Sequence, residues 1–130
     1  MRTVAECTAC AKEMKNKYKY LYGAKGQPYT KALVEKLAKK KKKKYTASIK
    51  AEALRDADKG YLAGDCSFLI CSIMGLPMLR SAQLKEKAVM LIRPQKYLAK
   101  EGMCLWKSGH VAYVGDNLQI YELQSTAKDF

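Results

Sequence analysis

The sequence lacks a long hydrophobic run, and this absence excludes several classes of protein. None of its apolar stretches approaches the roughly 18 residues that a membrane-spanning helix needs. The first residues, Met1 to Glu6, contain no apolar core of the kind found in signal peptides. We therefore expect a protein without a membrane span that is made in the cytoplasm without a signal of its own.

Histidine is nearly absent, with 1 residue, and cysteine occurs in an odd number, with 5 residues. Without a signal peptide, we do not expect these cysteines to form a disulfide framework. Cys7 and Cys10 form a CxxC within a predicted helix that no strand precedes, which argues against a redox motif. The spacing of Cys71 and Cys104 does not favour a zinc site, so we predict that both lie in the core. We expect no metal and no cofactor.

The composition that is present indicates one folded domain with an uneven charge. The chain has 130 residues, 48% of them hydrophobic, and a net charge of +13. Residues 1–60 hold 17 Lys/Arg against 6 Asp/Glu, whereas residues 61–130 hold 8 against 6. Six consecutive lysines run from Lys39 to Lys44; such a run is usually a solvated, mobile segment whose like charges fray a helix. Its functional interpretation is adhesion to a polyanion.

The hydrophobic pattern predicts helices first and strands afterwards, hence an α+β fold. The predicted helices are Val4 to Lys17, a helix capped by Thr30, Ser48 to Lys59, a buried central helix from Cys66 to Met74 capped by Asp65 and ended by Gly75, and a helix from Ser81 to Pro94 with Leu84, Ala88, Leu91 and Ile92 inward. Tyr18 to Tyr22 forms an aromatic segment that ends at Gly23, and Gly26-Gln27-Pro28 is assigned to a loop. The predicted strands are about Met103–Lys107, His110–Val114 and Leu118–Leu123.

Three residues in this pattern have the chemistry of a cysteine hydrolase. Cys66 begins the central helix, where free N–H groups and the helix dipole stabilise a thiolate and an oxyanion. A turn at residues 115–117 would pair His110 with Glu122 on one face of a hairpin, so that the carboxylate orients the imidazole. A two-residue turn would instead send Glu122 to the opposite face. Each feature alone is more often structural, and the hypothesis depends on their agreement.

Three sequence blocks carry a resemblance to a known family: Tyr20-Leu21-Tyr22-Gly23-Ala24 with Lys25-Gly26, Asp65-Cys66-Ser67 followed by Leu69-Ile70, and Trp106-Lys107-Ser108-Gly109-His110-Val111-Ala112-Tyr113-Val114-Gly115. Through these blocks, and over about residues 4–126, the chain resembles the NlpC-type, papain-like cysteine peptidases of bacterial cell walls. The resemblance implies that Cys66 is the nucleophile, His110 the base and Glu122 the orienting residue. It also implies that Tyr20, Asp65, Ser67 and Trp106 line the substrate site. Phe68 and Ala112 depart from the family, which often has glycine at these positions.

The resemblance also carries expectations about fold and function. It implies a single NlpC-type domain over residues 1–130, trimmed or cut at the C-terminus, with the nucleophile helix packed on a small antiparallel sheet and additional N-terminal helices. The expected reaction is hydrolysis of peptidoglycan stem peptides at the bond between D-glutamate and the following diamino acid. The alternatives are an N-acetylmuramoyl-L-alanine amidase and a catalytically silent basic module that binds wall polymer or nucleic acid.

The expected partners are stem peptides and anionic wall polymers, with nucleic acid less favoured. The residues assigned to the wall polymers are Lys39, Lys40, Lys41, Lys42, Lys43 and Lys44. The expected place of action is the bacterial cell wall, and the missing signal suggests a protein encoded by a phage or mobile element.

Overall fold

Four α-helices and two small sheets make up the described part of the chain, which in the computed structural model is residues 2–80, 83–84, 90–92, 99–107 and 109–123. The elements in chain order are α1 Val4–Met14, β1 Tyr18–Tyr20, β2 Lys25–Pro28, α2 Lys31–Lys40, α3 Ala47–Asp56, β3 Leu62–Gly64, α4 Cys66–Met74, β4 Met90–Ile92, β5 Cys104–Lys107, β6 His110–Val114 and β7 Ile120–Tyr121. The predicted α+β class is confirmed. Among these residues no helix is long and apolar enough to cross a membrane.

Side-chain caps decide where the four helices begin. The oxygens of Thr3, Thr30, Thr46 and Asp65 each accept a hydrogen bond from the N–H three residues on, so they satisfy a donor that the helix leaves open. The caps predicted at Thr30 and Asp65 are confirmed. At its other end, α4 stops at Gly75, which adopts the left-handed conformation with φ of 68°.

Three-residue and four-residue strands form a first sheet that the sequence pattern did not predict. Its order is β1-β3-β2, with β1 parallel and β2 antiparallel to β3. The segment assigned to a loop at Gly26-Gln27-Pro28 lies in β2, so that assignment is wrong. Strands this short contain too few residues to show an alternating period, which is why the pattern missed them.

The second sheet contains the predicted strands together with one that replaces part of a predicted helix. Its order is β4-β5-β6-β7, with β4 parallel to β5 and the remaining pairs antiparallel. Leu91 and Ile92 pair with Leu105 and Trp106, so the prediction of a helix reaching Pro94 is wrong at these positions. A short apolar run suits a buried strand as well as a buried helix. Leu84 is fully buried, as predicted; Ser81, Ala88 and Pro94 lie outside the described residues.

The central helix α4 is buried as predicted and lies against α1 and β6. Ile70, Cys71 and Ile73 on this helix are fully buried, and Cys104 of β5 belongs to the same core. Burial raises the pKa of the Cys71 thiol and raises that of Cys104 to about 12. Both cysteines are therefore core residues, as expected from the sequence.

A second core joins α2 and α3 to the first sheet. Its buried members are Leu21, Ala24, Tyr29, Val34, Leu37, Tyr45, Ala53, Ala57 and Ala63. The lysine run borders this core: α2 ends at Lys40, and the following lysines form a turn. The ammonium groups of Lys41 and Lys44 lie 5.5 and 5.8 Å from the centre of the Tyr22 ring, within cation–π range. Both lysines therefore pack on an aromatic ring, Lys41 partly buried and Lys44 exposed.

Candidate active site

Cys66 is the first residue of α4, and its thiol lies beside the beginning of β6. The side chain of Asp65 accepts a hydrogen bond of 2.9 Å from the N–H of Phe68, which fixes the first turn of the helix. Cys66 Sγ lies 3.9 Å from the carbonyl oxygen of Gly109, the residue directly before His110. The fold therefore brings the predicted nucleophile next to the segment that carries the predicted base.

His110 and Glu122 form a hydrogen-bonded pair across the sheet. His110 Nε2 lies 2.9 Å from Glu122 Oε1, and the two side chains are 1% and 17% exposed. A hydrogen bond in this position holds the imidazole ring in one orientation. The predicted contact between the imidazole and the carboxylate is present.

The strand register that was expected to make this contact is nevertheless wrong by two positions. Val114 pairs with Ile120, and not with Leu118, because residues 115–119 form a longer connection that contains a 3₁₀ turn. In that connection the N–H of Gly115 donates to the carbonyl oxygen of Gln119 over 2.8 Å. A shift of two positions keeps each side chain on the same face of the strand, so His110 and Glu122 still meet as diagonal neighbours.

The two faces of β6 have different partners. Val111 and Tyr113 belong to the core formed with α4, whereas Ala112 and Val114 belong to a separate cluster with Leu105. Strand alternation assigns His110 to the face of Ala112 and Val114. The thiol of Cys66 lies at the end of the strand, so a thiol–imidazole pair would form around the beginning of β6 and not through the sheet.

A lysine that the sequence analysis did not select completes the first turn of α4. Lys25 Nζ lies 3.1 and 2.9 Å from the two carboxylate oxygens of Asp65, and 3.4 Å from Ser67 Oγ. Ser67 also donates a hydrogen bond of 3.1 Å to Asp65. Asp65 and Ser67, which were predicted to contact substrate, are thus engaged in a cap and an ion pair. Lys25 lies in the quoted tyrosine and glycine block, but nothing in its local spacing indicates a partner 40 positions away.

Tyr20, which the resemblance assigns to the substrate site, pairs with Gly64 of β3, two residues before Cys66. Burial is the main cause that raises the pKa of this phenol, and the negative charges of the Cys66 thiolate and the Asp65 carboxylate add to it. The phenol is therefore neutral near neutral pH. It also borders a cavity of about 510 Å³, whose other aromatic and basic lining residues are Tyr22, Tyr29, Tyr45, Lys19, Lys43 and Lys44.

Trp106 and Phe68 complete the surroundings of α4. Trp106 pairs with Val111 in the second sheet and packs, half-buried, on the same core as Cys66. Phe68 packs against Gly26 and Gly64, where an added Cβ would lie 2.9 and 2.6 Å from its ring. The Phe68 ring therefore fills the space between α4 and the first sheet.

The described residues contain no group of three or more His, Cys, Asp or Glu side chains that could hold a metal ion. A scan against protein-family models and searches of curated proteins and of solved structures found no match to the chain. The papain-like fold and the family therefore stay predictions from the sequence motifs.

Proposed function

We propose that the protein is a cysteine peptidase that hydrolyses peptidoglycan stem peptides in the bacterial cell wall. The observation that supports this proposal is the His110–Glu122 pair, 2.9 Å apart, beside a half-buried cysteine at the start of a helix. A thiol, an imidazole and an orienting carboxylate are the groups that nucleophilic acyl transfer requires. The choice of stem peptides as substrate comes from the sequence motifs around these residues.

The proposed reaction begins with transfer of the thiol proton of Cys66 to His110. Because Nε2 of the imidazole bonds Glu122, Nδ1 is the nitrogen that would take this proton. The thiolate then adds to the peptide carbonyl, and N–H groups in the first turn of α4 stabilise the oxyanion. His110 returns the proton to the leaving amine as the C–N bond breaks. Water, deprotonated by His110, then hydrolyses the thioester and restores the thiol.

The cavity beside Tyr20 is the proposed site for the part of the substrate on the acyl side of the bond. Its volume of about 510 Å³ lies within the range of pockets that bind small molecules. Tyr20 borders this cavity, and its phenol is close enough to Cys66 for the thiolate charge to affect its pKa. Cys66 itself does not line the cavity, so in this proposal the acyl group would pass along Tyr20 to reach the nucleophile.

Digestion of defined muropeptides tests the proposal. Wild type and Cys10→Ala should cleave, because Cys10 lies on α1, whereas Cys66→Ala should cleave nothing. Glu122→Gln retains a hydrogen-bonding group of the same shape but loses the charge, so kcat should fall by at least about tenfold. A new amino terminus on the diamino acid supports a peptidase, and a freed lactyl group identifies an amidase. Equal cleavage by wild type and Cys66→Ala, or no cleavage by folded wild type across wall types, would refute the proposal.

The lysine segment supports a second candidate function, binding of a polyanion without catalysis. The turn that holds Lys41 and Lys44 against Tyr22 gives the segment a defined shape in the basic half of the chain. Binding of this kind would survive Cys66→Ala and weaken steeply with salt.

A further inference from the structure

Lys25 bridges the two residues that flank the candidate nucleophile. Its ammonium lies 2.9 Å from the nearer oxygen of Asp65, before Cys66, and 3.4 Å from Ser67 Oγ, after it. The Lys25 side chain is 40% exposed and that of Asp65 is 14% exposed. A positive charge is therefore held against the first turn of α4 in a partly desolvated position.

The backbone fixes this arrangement from both sides. Lys25 pairs with Gly64 across β2 and β3, and the N–H of Asp65 donates to the carbonyl oxygen of Ala24 over 3.2 Å. The backbone of Lys25 and that of Asp65 therefore lie side by side at the same end of the first sheet. Their ion pair follows from the sheet register and does not depend on a chance surface contact.

The Asp65 carboxylate has two opposing effects on the neighbouring thiol. As a cap it organises the helix end whose N–H groups favour a thiolate. As an anion one residue before Cys66, it disfavours a second negative charge nearby. A bidentate ammonium cancels the second effect and leaves the first unchanged.

We propose that Lys25 is a positioning residue that neutralises Asp65, so that Cys66 can ionise at a capped helix end. This inference rests on the proposed role of Cys66 as nucleophile, but it concerns the thiol and not the substrate. Among the described residues, the other titratable groups near this site are the imidazole of His110 on β6, bonded to Glu122, and the neutral phenol of Tyr20 on β1. The buried Cys71 thiol of α4 also responds to the charges of Lys25 and Asp65. All these residues stay unchanged in the variants below.

The test is the pH dependence of Cys66 alkylation by iodoacetamide, read by peptide mass spectrometry on the folded protein. Lys25→Met should move the midpoint of the Cys66 profile up by about half to one pH unit, a partly exposed charge having a smaller effect than a buried one. Asp65→Asn, which retains a capping side chain, should move it down. The double variant Lys25→Met/Asp65→Asn should return close to the wild-type midpoint, because the charges balance again.

Two further variants separate charge from structure. Lys25→Arg retains the positive charge and should match wild type within about 0.3 pH unit, whereas Lys36→Met removes an exposed lysine of α2 and should also leave the midpoint unchanged. Circular dichroism establishes which variants are folded. If Lys25→Met is not, the downward shift expected for Asp65→Asn and the unchanged midpoint expected for Lys25→Arg still decide. Three outcomes would overturn the proposal. The midpoints of Lys25→Met and Lys36→Met could be equal, or the midpoint of Lys25→Arg could be as high as that of Lys25→Met. The third outcome is an upward shift of the midpoint in Asp65→Asn. Because alkylation needs no hydrolysis, the result stands apart from whether stem peptides are cleaved.

Discussion

The contact between Gly64 and the ring of Phe68 gives a sharp test of how α4 is held on the first sheet. A Cβ at position 64 would lie 2.6 Å from Cδ2 of Phe68 and 3.2 Å from Cδ1 of Leu123. Carbon atoms normally approach to about 3.5–4.0 Å, so the ring or the strand must move by roughly 1 Å. Phe68 is 7% exposed and has little room to move.

We expect Gly64→Ala to lower the free energy of unfolding by about 2 kcal/mol, within the range for overpacked cores. With an m-value of about 2 kcal/mol per molar urea, the unfolding midpoint should fall by about 1 M. Phe68→Leu alone should cost roughly 1 kcal/mol, because a smaller side chain leaves space unfilled. In the double variant the smaller leucine side chain leaves space for part of the methyl group added at position 64. The combined loss should therefore be at least about 1 kcal/mol smaller than the sum of the single losses.

Gly60→Ala is the matched control for backbone strain. Gly60 has φ of 88°, yet an added Cβ would meet nothing within 4 Å. Its substitution should cost about 1 kcal/mol through the left-handed conformation alone, and Phe68→Leu should not relieve that cost. This account of the packing would be contradicted if the losses of unfolding free energy for Gly64→Ala and Phe68→Leu were additive. It would also be contradicted if Phe68→Leu relieved the loss of Gly60→Ala as much as that of Gly64→Ala.

Two other predictions concern charge. Because burial raises the pKa of Cys104 from 9.0 to about 12, the unfolded chain loses this proton first and stability must fall as pH rises above about 9. Between pH 8 and pH 10 the loss of unfolding free energy from this thiol is on the order of 1 kcal/mol. Urea unfolding of Cys104→Ala should therefore show a correspondingly weaker pH dependence, and an unchanged dependence would contradict the burial argument. For the lysine segment, Lys41→Gln/Lys44→Gln should elute from a polyanionic column at lower salt than Lys31→Gln/Lys36→Gln, which removes the same charge from exposed positions on α2. Identical elution of the two pairs would show that only net charge matters.

The sequence predicted the chemical groups of the candidate site better than it predicted the backbone that holds them. The start of α4 followed from Asp65, and the contact of His110 with Glu122 followed from the alternation of apolar residues in two strands. The connection between the strands was predicted two residues too short, because the 3₁₀ turn within residues 115–119 has no strong sequence signal. The contact survived only because the error was an even number of positions.

The sequence by itself determined the helix caps at Thr30 and Asp65, the buried central helix and the chemical types of the three candidate site residues. These features depend on local hydrogen bonding and on hydrophobic periodicity, both of which are set by residues close together in the sequence. Only the tertiary structure decided that Lys25 meets Asp65, that Phe68 fits against two glycines, and that Cys66 lies beside Gly109. Each of these contacts joins residues about 40 positions apart or is formed by strands of three or four residues, and no local pattern records such pairings.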